Sequence, residues 1–301
     1  MGSPADTDRL PDLYFVDVFA SGPLCGNGLA VFVPTDGWPA AAMQRLTQEM
    51  KQFESIFLSE LSSEGACARV FTVEEELPFA GHPVLGAAAV LHRTQAADAD
   101  EASWRLRLPA GEVKVTTRNM GSHYRAEMNQ GAAVFGRTLS DGELAPILAR
   151  LGLVPGDRVE TLPAQVVSTG LPYLIVALRP EALAQAAIAA RDLEDLLSAV
   201  GAKFVLVLDA AGRELRTWDN LGRVEDVATG SAAGPVAAYL VRQGLADPTQ
   251  PLSIAQGRFA GRPSRIDVRV DADGGIAVSG EVWAVAHGHL DASLLAALRS
   301  S

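Results

Sequence analysis

Two stretches of this chain share one build, and together they restrict the fold more than any other feature. Phe79-Ala-Gly-His-Pro-Val-Leu-Gly-Ala-Ala-Ala-Val90 passes from a glycine turn into a run of small residues with helical character. Val227-Ala-Thr-Gly-Ser-Ala-Ala-Gly-Pro-Val-Ala-Ala-Tyr239 does the same far downstream. Pro83 carries its fixed φ where a first helical turn accepts it. Gly81 and Gly86 permit close backbone approach. The first N–H groups of such a helix have no intrahelical acceptor and can hold an anion. One glycine turn before a helix is most often a cap or a packing device. Two in one chain predict two halves, each presenting a helix N-terminus to a shared cleft.

The segments between these stretches alternate like strands. Tyr14–Phe19 and Leu29–Val33 form a hairpin-like pair, and Pro39 opens a helix that ends near Lys51. Cys67–Val73, Trp104–Leu108, Val113–Thr117 and Tyr124–Met128 are further strands around the first glycine-led helix. The second half repeats this order: a short helix at 141–150, strands on each side of Gly170-Leu-Pro172, a helix over 181–199, then strands at Phe204–Leu208 and Glu214–Trp218 before the second glycine turn. Ile276–Val285 is read as a last strand pair or one long bulged strand, and Leu290–Leu298 as a C-terminal helix. The strand after Phe204–Leu208 is expected to run through Trp218, and strands, helix, then strands is an α+β order rather than a βαβ series.

Composition narrows the class of partner. The 301 residues are 48% hydrophobic, with abundant glycine and few aromatics, so a large core of tightly packed elements is available. The net charge of −11 disfavours nucleic acid and anionic membranes but permits an anionic small molecule at a locally positive site. Cys25 and Cys67 make no disulfide framework, and no Cys/His spacing suits zinc. A reduced, cytoplasmic protein with neither a signal core nor a membrane span is expected. Residues 1–10 read as a disordered tail.

One carboxylate stands apart. In Phe53-Glu-Ser-Ile-Phe-Leu58 the period is two, so Glu54 shares a face with Ile56 and Leu58. Partial desolvation there would raise its pKa and suit it to proton transfer. The plainer alternative is an edge-strand glutamate facing water.

Across nearly its whole length the chain resembles the phenazine-biosynthesis PhzF-like family, within the diaminopimelate-epimerase-like fold. The resemblance rests on Asp17-Val-Phe19, Gly26-Asn27, Ala30-Val-Phe32, Phe53-Glu54 and, most specifically, Glu76-Leu-Pro-Phe-Ala-Gly-His-Pro83. Further matches are Ser168-Thr-Gly-Leu171, Glu225-Asp226, Ala228-Thr-Gly-Ser-Ala232, Gln256-Gly257 and Arg262-Pro-Ser264. It implies two pseudo-symmetric α+β domains, each a curved, mostly antiparallel sheet around a central helix. These would be residues 11–128 with 287–300, and 129–286, around helices at 82–92 and 231–243. It also implies an isomerase that needs no cofactor or metal, acts on a small carboxylate-bearing, cyclic or amino-substituted substrate, and forms a homodimer. Carried residue by residue, Glu54 would be the acid/base, with His82 and Asp226 as polar partners. Gly81, His82, Gly230, Ser231 and Ala232 would hold the substrate. Asp226 as a mere turn or capping aspartate is the plainer reading.

Departures ring the expected site. Gly28 stands where the family has proline, Val227 replaces another proline, Trp218-Asp-Asn220 replaces a Phe-x-Pro segment, and Pro235 enters the second helix early. Two-cysteine racemisation is not expected, because the turns at 80–82 and 229–231 hold Ala-Gly-His and Thr-Gly-Ser. Cys25 is taken as a buried small residue and Cys67 as core. Epimerisation or elimination on a related acid, and a non-catalytic metabolite- or protein-binding scaffold, remain as alternatives. An exposed Glu54 and a cleft blocked by Trp218 would favour the last.

Overall fold

A computed structural model describes residues 10–190, 192–271 and 273–294. The expected tail at 1–10 and the far part of the expected helix at 290–298 lie outside them. The chain is a mixed α+β protein of two compact units, Met1–Met128 with Ser279–Ser301, and Asn129–Val278.

The first unit holds strands β1 (Asp12–Val18), β2 (Asn27–Val33), β3 (Glu54–Ser62), β4 (Gly65–Thr72), β5 (Glu76–Leu77), β6 (Glu101–Leu108), β7 (Gly111–Asn119) and β8 (Tyr124–Ala132), with helices α1 (Ala40–Met50) and α2 (Gly81–Gln95). Its sheet runs β1-β2-β3-β4-β6-β7-β8, with β5 beside β4. Strands from across that sheet, β1, β2, β3, β6 and β7, all touch α2, so the sheet wraps the helix. Every residue of α2 from Gly81 to His92 is buried, which explains why the helix is apolar on all sides. Close packing depends on glycine: a Cβ at Gly86 would lie 2.4 Å from Leu29 Cδ2 and 3.0 Å from Val18 Cγ2. The outer face of β2–β4 is also covered. Phe32, Phe57 and Phe71 pack there against Ala42, Met43 and Leu46 of α1, with Phe32 and Phe57 stacked at 4.7 Å. Burial on both faces is why these strands read as nearly continuous apolar runs.

The second unit holds β9 (Val134–Thr138), α3 (Asp141–Arg150), β10 (Gln165–Ser168), β11 (Pro172–Ala177), α4 (Pro180–Leu183), α5 (Leu193–Ala199), β12 (Phe204–Asp209), β13 (Glu214–Thr217), α6 (Gly230–Arg242), β14 (Leu252–Gln256) and β15 (Ser264–Val270). Here α6 is the wrapped helix, touched by β10, β11, β14 and β15. The pairing pattern repeats that of the first unit. From β1 to β7 the pairs run antiparallel, parallel, antiparallel, parallel, antiparallel. From β10 to β15 they run the same way. The long strand β16 (Gly275–His289) is one element rather than a pair. Its Val282–His289 stretch pairs with β1 across a bulge between Phe15 and Val16. The chain therefore re-enters the first unit at Ser279, earlier than the expected 287.

One expected helix is broken. Residues 181–199 form α4 and α5 with an irregular stretch between them. The reason is tertiary: the N–H groups of Ala187 and Ala189 donate to Leu151 O and Arg150 O at the end of α3, at 3.1 and 2.9 Å. Those bonds satisfy carbonyls that a helix end leaves open, at the expense of a continuous helix. The Arg216 guanidinium closes α4 by donating to Leu183 O at 2.7 Å. Pro235 lies inside α6 without ending it.

Gly257 supplies a stability prediction. Its φ is +85°, and a Cβ there would lie 2.3 Å from Arg262 O and 2.5 Å from Val227 O. Both obstacles are backbone. Gly257→Ala is expected to destabilise the fold by roughly 2–4 kcal/mol, from backbone strain and overpacking together. Urea denaturation measures this, and an unchanged midpoint would contradict it.

Candidate functional site

Glu54 opens β3 beside Leu29 of β2 and Thr72 of β4. Paired residues share a face, and Leu29 and Ile56 are fully buried there against α2. Glu54 itself is only 6% exposed, so it is not the water-facing edge glutamate. His82 is the second residue of α2 and is equally buried. Its Nδ1 lies 3.3 Å from Glu54 Oε2 and 3.5 Å from Asn27 Nδ2. Burial pushes the imidazole pKa down to about 3, so His82 is neutral at pH 7. The 3.3 Å approach to Glu54 is thus a contact between a carboxyl group and a neutral ring rather than an ion pair. Nε2 of His82 is buried and has no hydrogen-bond partner among the described residues. A neutral imidazole carries one proton, so whichever nitrogen lacks it is a bare acceptor. The helix start at Gly81–His82 has no side-chain cap. One corner of the first unit therefore gathers a buried carboxyl group, a neutral imidazole and open amide donors.

The second unit places a polar turn at the equivalent helix start. Gly230 and Ser231 are the first two residues of α6, again with no side-chain cap. The third predicted contact, Ala232, differs: its N–H already donates to Thr229 O at 3.0 Å, so it has no amide to offer a ligand. Asp226 precedes this turn. Its Oδ1 accepts from Ala228 N–H at 3.2 Å and its Oδ2 from Thr229 Oγ1 at 2.5 Å. These bonds give Asp226 a turn-forming part, the plainer of its two readings. Gln256, 1% exposed, braces the same turn. It donates to Asp226 O at 2.7 Å and accepts from Thr229 N–H at 2.9 Å.

A buried clamp holds Glu225, next to Asp226. Arg216 donates to both Glu225 oxygens at 2.9 and 2.7 Å. Its guanidinium lies 4.9 Å from the centre of the Trp218 ring and 4.4 Å from that of Phe259. Trp218 packs into the outer core of the second unit with Leu174, Val176 and Val205. Glu54 is thus buried, and Trp218 belongs to a core of the second unit.

Asn27, Gln256, Arg216 and Tyr173 also lie among these groups, and the sequence does not single them out. Asn27 and Gln256 fall inside recognisable blocks, but nothing in the sequence showed which side chain each would face. Tyr173, whose hydroxyl lies 2.8 Å from Ser231 Oγ, reads in sequence only as a strand aromatic. The cysteine expectations need correction. Cys25 is half-buried, with its thiol donating to Gly22 O at 3.0 Å. Cys67 is half-buried beside Glu60 and Arg107, at 3.1 and 3.2 Å, because it lies on the sheet face it shares with Ser59 and Arg107, opposite the buried Ala66 and Ala68.

With this geometry in hand, comparison with known proteins is informative. The phenazine biosynthesis-like protein family matches residues 16–288. A trans-2,3-dihydro-3-hydroxyanthranilate isomerase of Pseudomonas aeruginosa is 36% identical over 286 residues, covering 91% of this chain and 96% of that protein. A crystallised protein from Pseudomonas aeruginosa, described as a predicted epimerase, is 49% identical with a TM-score of 0.88, over 94% of this chain and 99% of its own. A hydroxyproline epimerase from Agrobacterium vitis shares the fold alone, with a TM-score of 0.59 at 13% identity, over 94% of this chain and 91% of its own.

Proposed function

We propose a reaction for this chain from the premise that it belongs to the phenazine biosynthesis-like family and is an isomerase: it moves a proton on a small, carboxylate-bearing cyclic substrate. Glu54 removes the proton from carbon and returns it at another position. The observation that carries this is the buried Glu54–His82 contact, 3.3 Å long, at an uncapped helix start. A carboxyl group sheltered from water can take and give a proton without losing it to solvent. Neutral His82 orients that carboxyl through Nδ1 and offers Nε2 to a polar substituent of the substrate. The amides of Gly81 and His82, at the positive end of α2, stabilise negative charge that develops as the proton leaves. In the second unit the same reading assigns Gly230 and Ser231 to the substrate's carboxylate and Asp226 to a polar contact. It also carries a cytoplasmic homodimer that works without a metal or organic cofactor.

The substrate class follows the P. aeruginosa relative, an isomerase of a dihydro-hydroxyanthranilate. Incubation of the enzyme with trans-2,3-dihydro-3-hydroxyanthranilate in deuterated water, followed by NMR, is the test. A positional isomer carrying a defined deuterium content at the new C–H supports the reading. Unchanged substrate with no exchange at carbon sinks it for this substrate class. Epimerisation is the second reading, favoured by the predicted epimerase at 49% identity. It would give a product of unchanged connectivity, with deuterium at an inverted centre.

A further inference from the structure

The block Ser168-Thr-Gly-Leu171 and the strand after it have no part in the mechanism above, yet their side chains converge on the start of α6. Thr169 Oγ1 donates to Gln130 Oε1 at 3.0 Å, and Gln130 Nε2 donates to Gly230 O at 3.1 Å. That pair fixes the backbone of the turn. The side chain of the turn has its own partner: Tyr173 OH lies 2.8 Å from Ser231 Oγ.

Tyr173 is well placed to control that serine. It is 3% exposed, paired in the sheet with Val167 and Phe204, and its ring lies 5.6 Å from the Phe204 ring. A ring held on two sides cannot follow a rotating hydroxyl. Ser231 is only partly buried and stands at the second position of α6, without a side-chain cap before it. Unrestrained, its single proton would be shared among several rotamers.

We propose that Tyr173 is a positioning residue for acid recognition: its phenol donates to Ser231 Oγ and so commits the serine proton to the ligand's carboxylate. This rests on the reading of Gly230–Ser231 as the acid-holding turn. The polarity follows from chemistry. An ionised acid at a helix N-terminus can only accept. Ser231 must therefore donate outward, and its oxygen is left to accept from Tyr173. Donors aligned in one direction polarise each other, which strengthens the outer bond. A neutral amide in the same place would not draw the chain into one direction, so the pair selects acids over amides.

The test is calorimetric titration of the intact protein with anthranilate, a stable amino acid carrying a carboxylate, and with anthranilamide. Wild type, Tyr173→Phe, Ser231→Ala and the double variant are compared, with thermal melting to verify each fold. Y173F is expected to weaken anthranilate binding about five- to tenfold and S231A about tenfold or more, typical of hydrogen bonds to a charged group. The double variant should bind no more weakly than S231A, because the phenol acts only through the serine. Anthranilamide affinity should be alike in all four. Unchanged anthranilate binding in Y173F, losses that multiply in the double variant, or a wild type that does not prefer the acid would each overturn the proposal. Turnover of Glu54→Gln, measured beside these titrations, separates the two readings. If E54Q proves irrelevant to turnover while the Tyr173–Ser231 coupling persists, the proton-transfer reading fails and this one stands. The reverse result removes Tyr173 and leaves Glu54.

Discussion

Glu54→Gln is expected to lower kcat by about 10²- to 10⁴-fold, the usual contribution of a positioned acid/base group. The substitution preserves side-chain length and volume and keeps a polar group beside His82 Nδ1, which lies 3.3 Å from Glu54 Oε2. What it removes is a group able to accept a proton from carbon. KM should therefore stay within about threefold, because substrate grip is assigned elsewhere and the loss falls on the transition state. Thermal unfolding should move little, since an amide is easier to bury than a carboxylate. Steady-state kinetics on the dihydro-hydroxyanthranilate, with a melting curve alongside, gives both readouts. A variant that keeps wild-type kcat would remove Glu54 from the chemistry and leave it a buried structural acid.

His82 provides the second large effect, on stability against pH. Its native pKa is about 3, depressed by burial, while the unfolded chain has the ordinary histidine value near 6.5. Below that ordinary value the unfolded chain binds a proton that the native protein refuses. Stability from this group is thus complete above about pH 6.5 and is lost as pH falls toward 3. The slope within that window is about 1.4 kcal/mol per pH unit for one proton. Urea midpoints between pH 7.5 and 4.5 should fall more steeply in wild type than in His82→Asn, which has no proton to bind there. Parallel curves would show that the native ring titrates near its ordinary value. The same depressed pKa makes a kinetic statement: kcat/KM should show no ionisation near pH 6.5 from this ring, which stays neutral across the working range.

Much of the architecture was legible in the chain because local patterns and tertiary demands agreed. The two glycine-led stretches are the two wrapped helices, and Pro39 and Lys51 bracket α1, with Lys51 in the left-handed conformation that ends it. The apolar runs of β2 and β3 read as strands because both faces are covered. Where the patterns misled, a distant backbone had intervened. Residues 184–190 carry a helical composition, but the N–H groups of Ala187 and Ala189 serve the end of α3 instead, so the expected helix is split.

The site divides along the same line. Residue type and spacing alone placed Glu54 beside Ile56 and Leu58, marked glycine turns ahead of two small-residue helical runs, and gave an α+β order that repeats. Periodicity encodes which face a side chain takes, and glycine followed by a small-residue run encodes where a helix opens. Only the tertiary structure decided what each of those faces meets. It brought His82 to Glu54 and Asn27 to His82, joined Tyr173 to Ser231, and sealed Arg216 between Trp218 and Phe259 beside Glu225. The contacts of His82, Asn27, Tyr173, Ser231 and Phe259 join segments far apart in the chain. They arise when a sheet curls around a helix, and no local pattern of residues specifies which side chains that curling brings together.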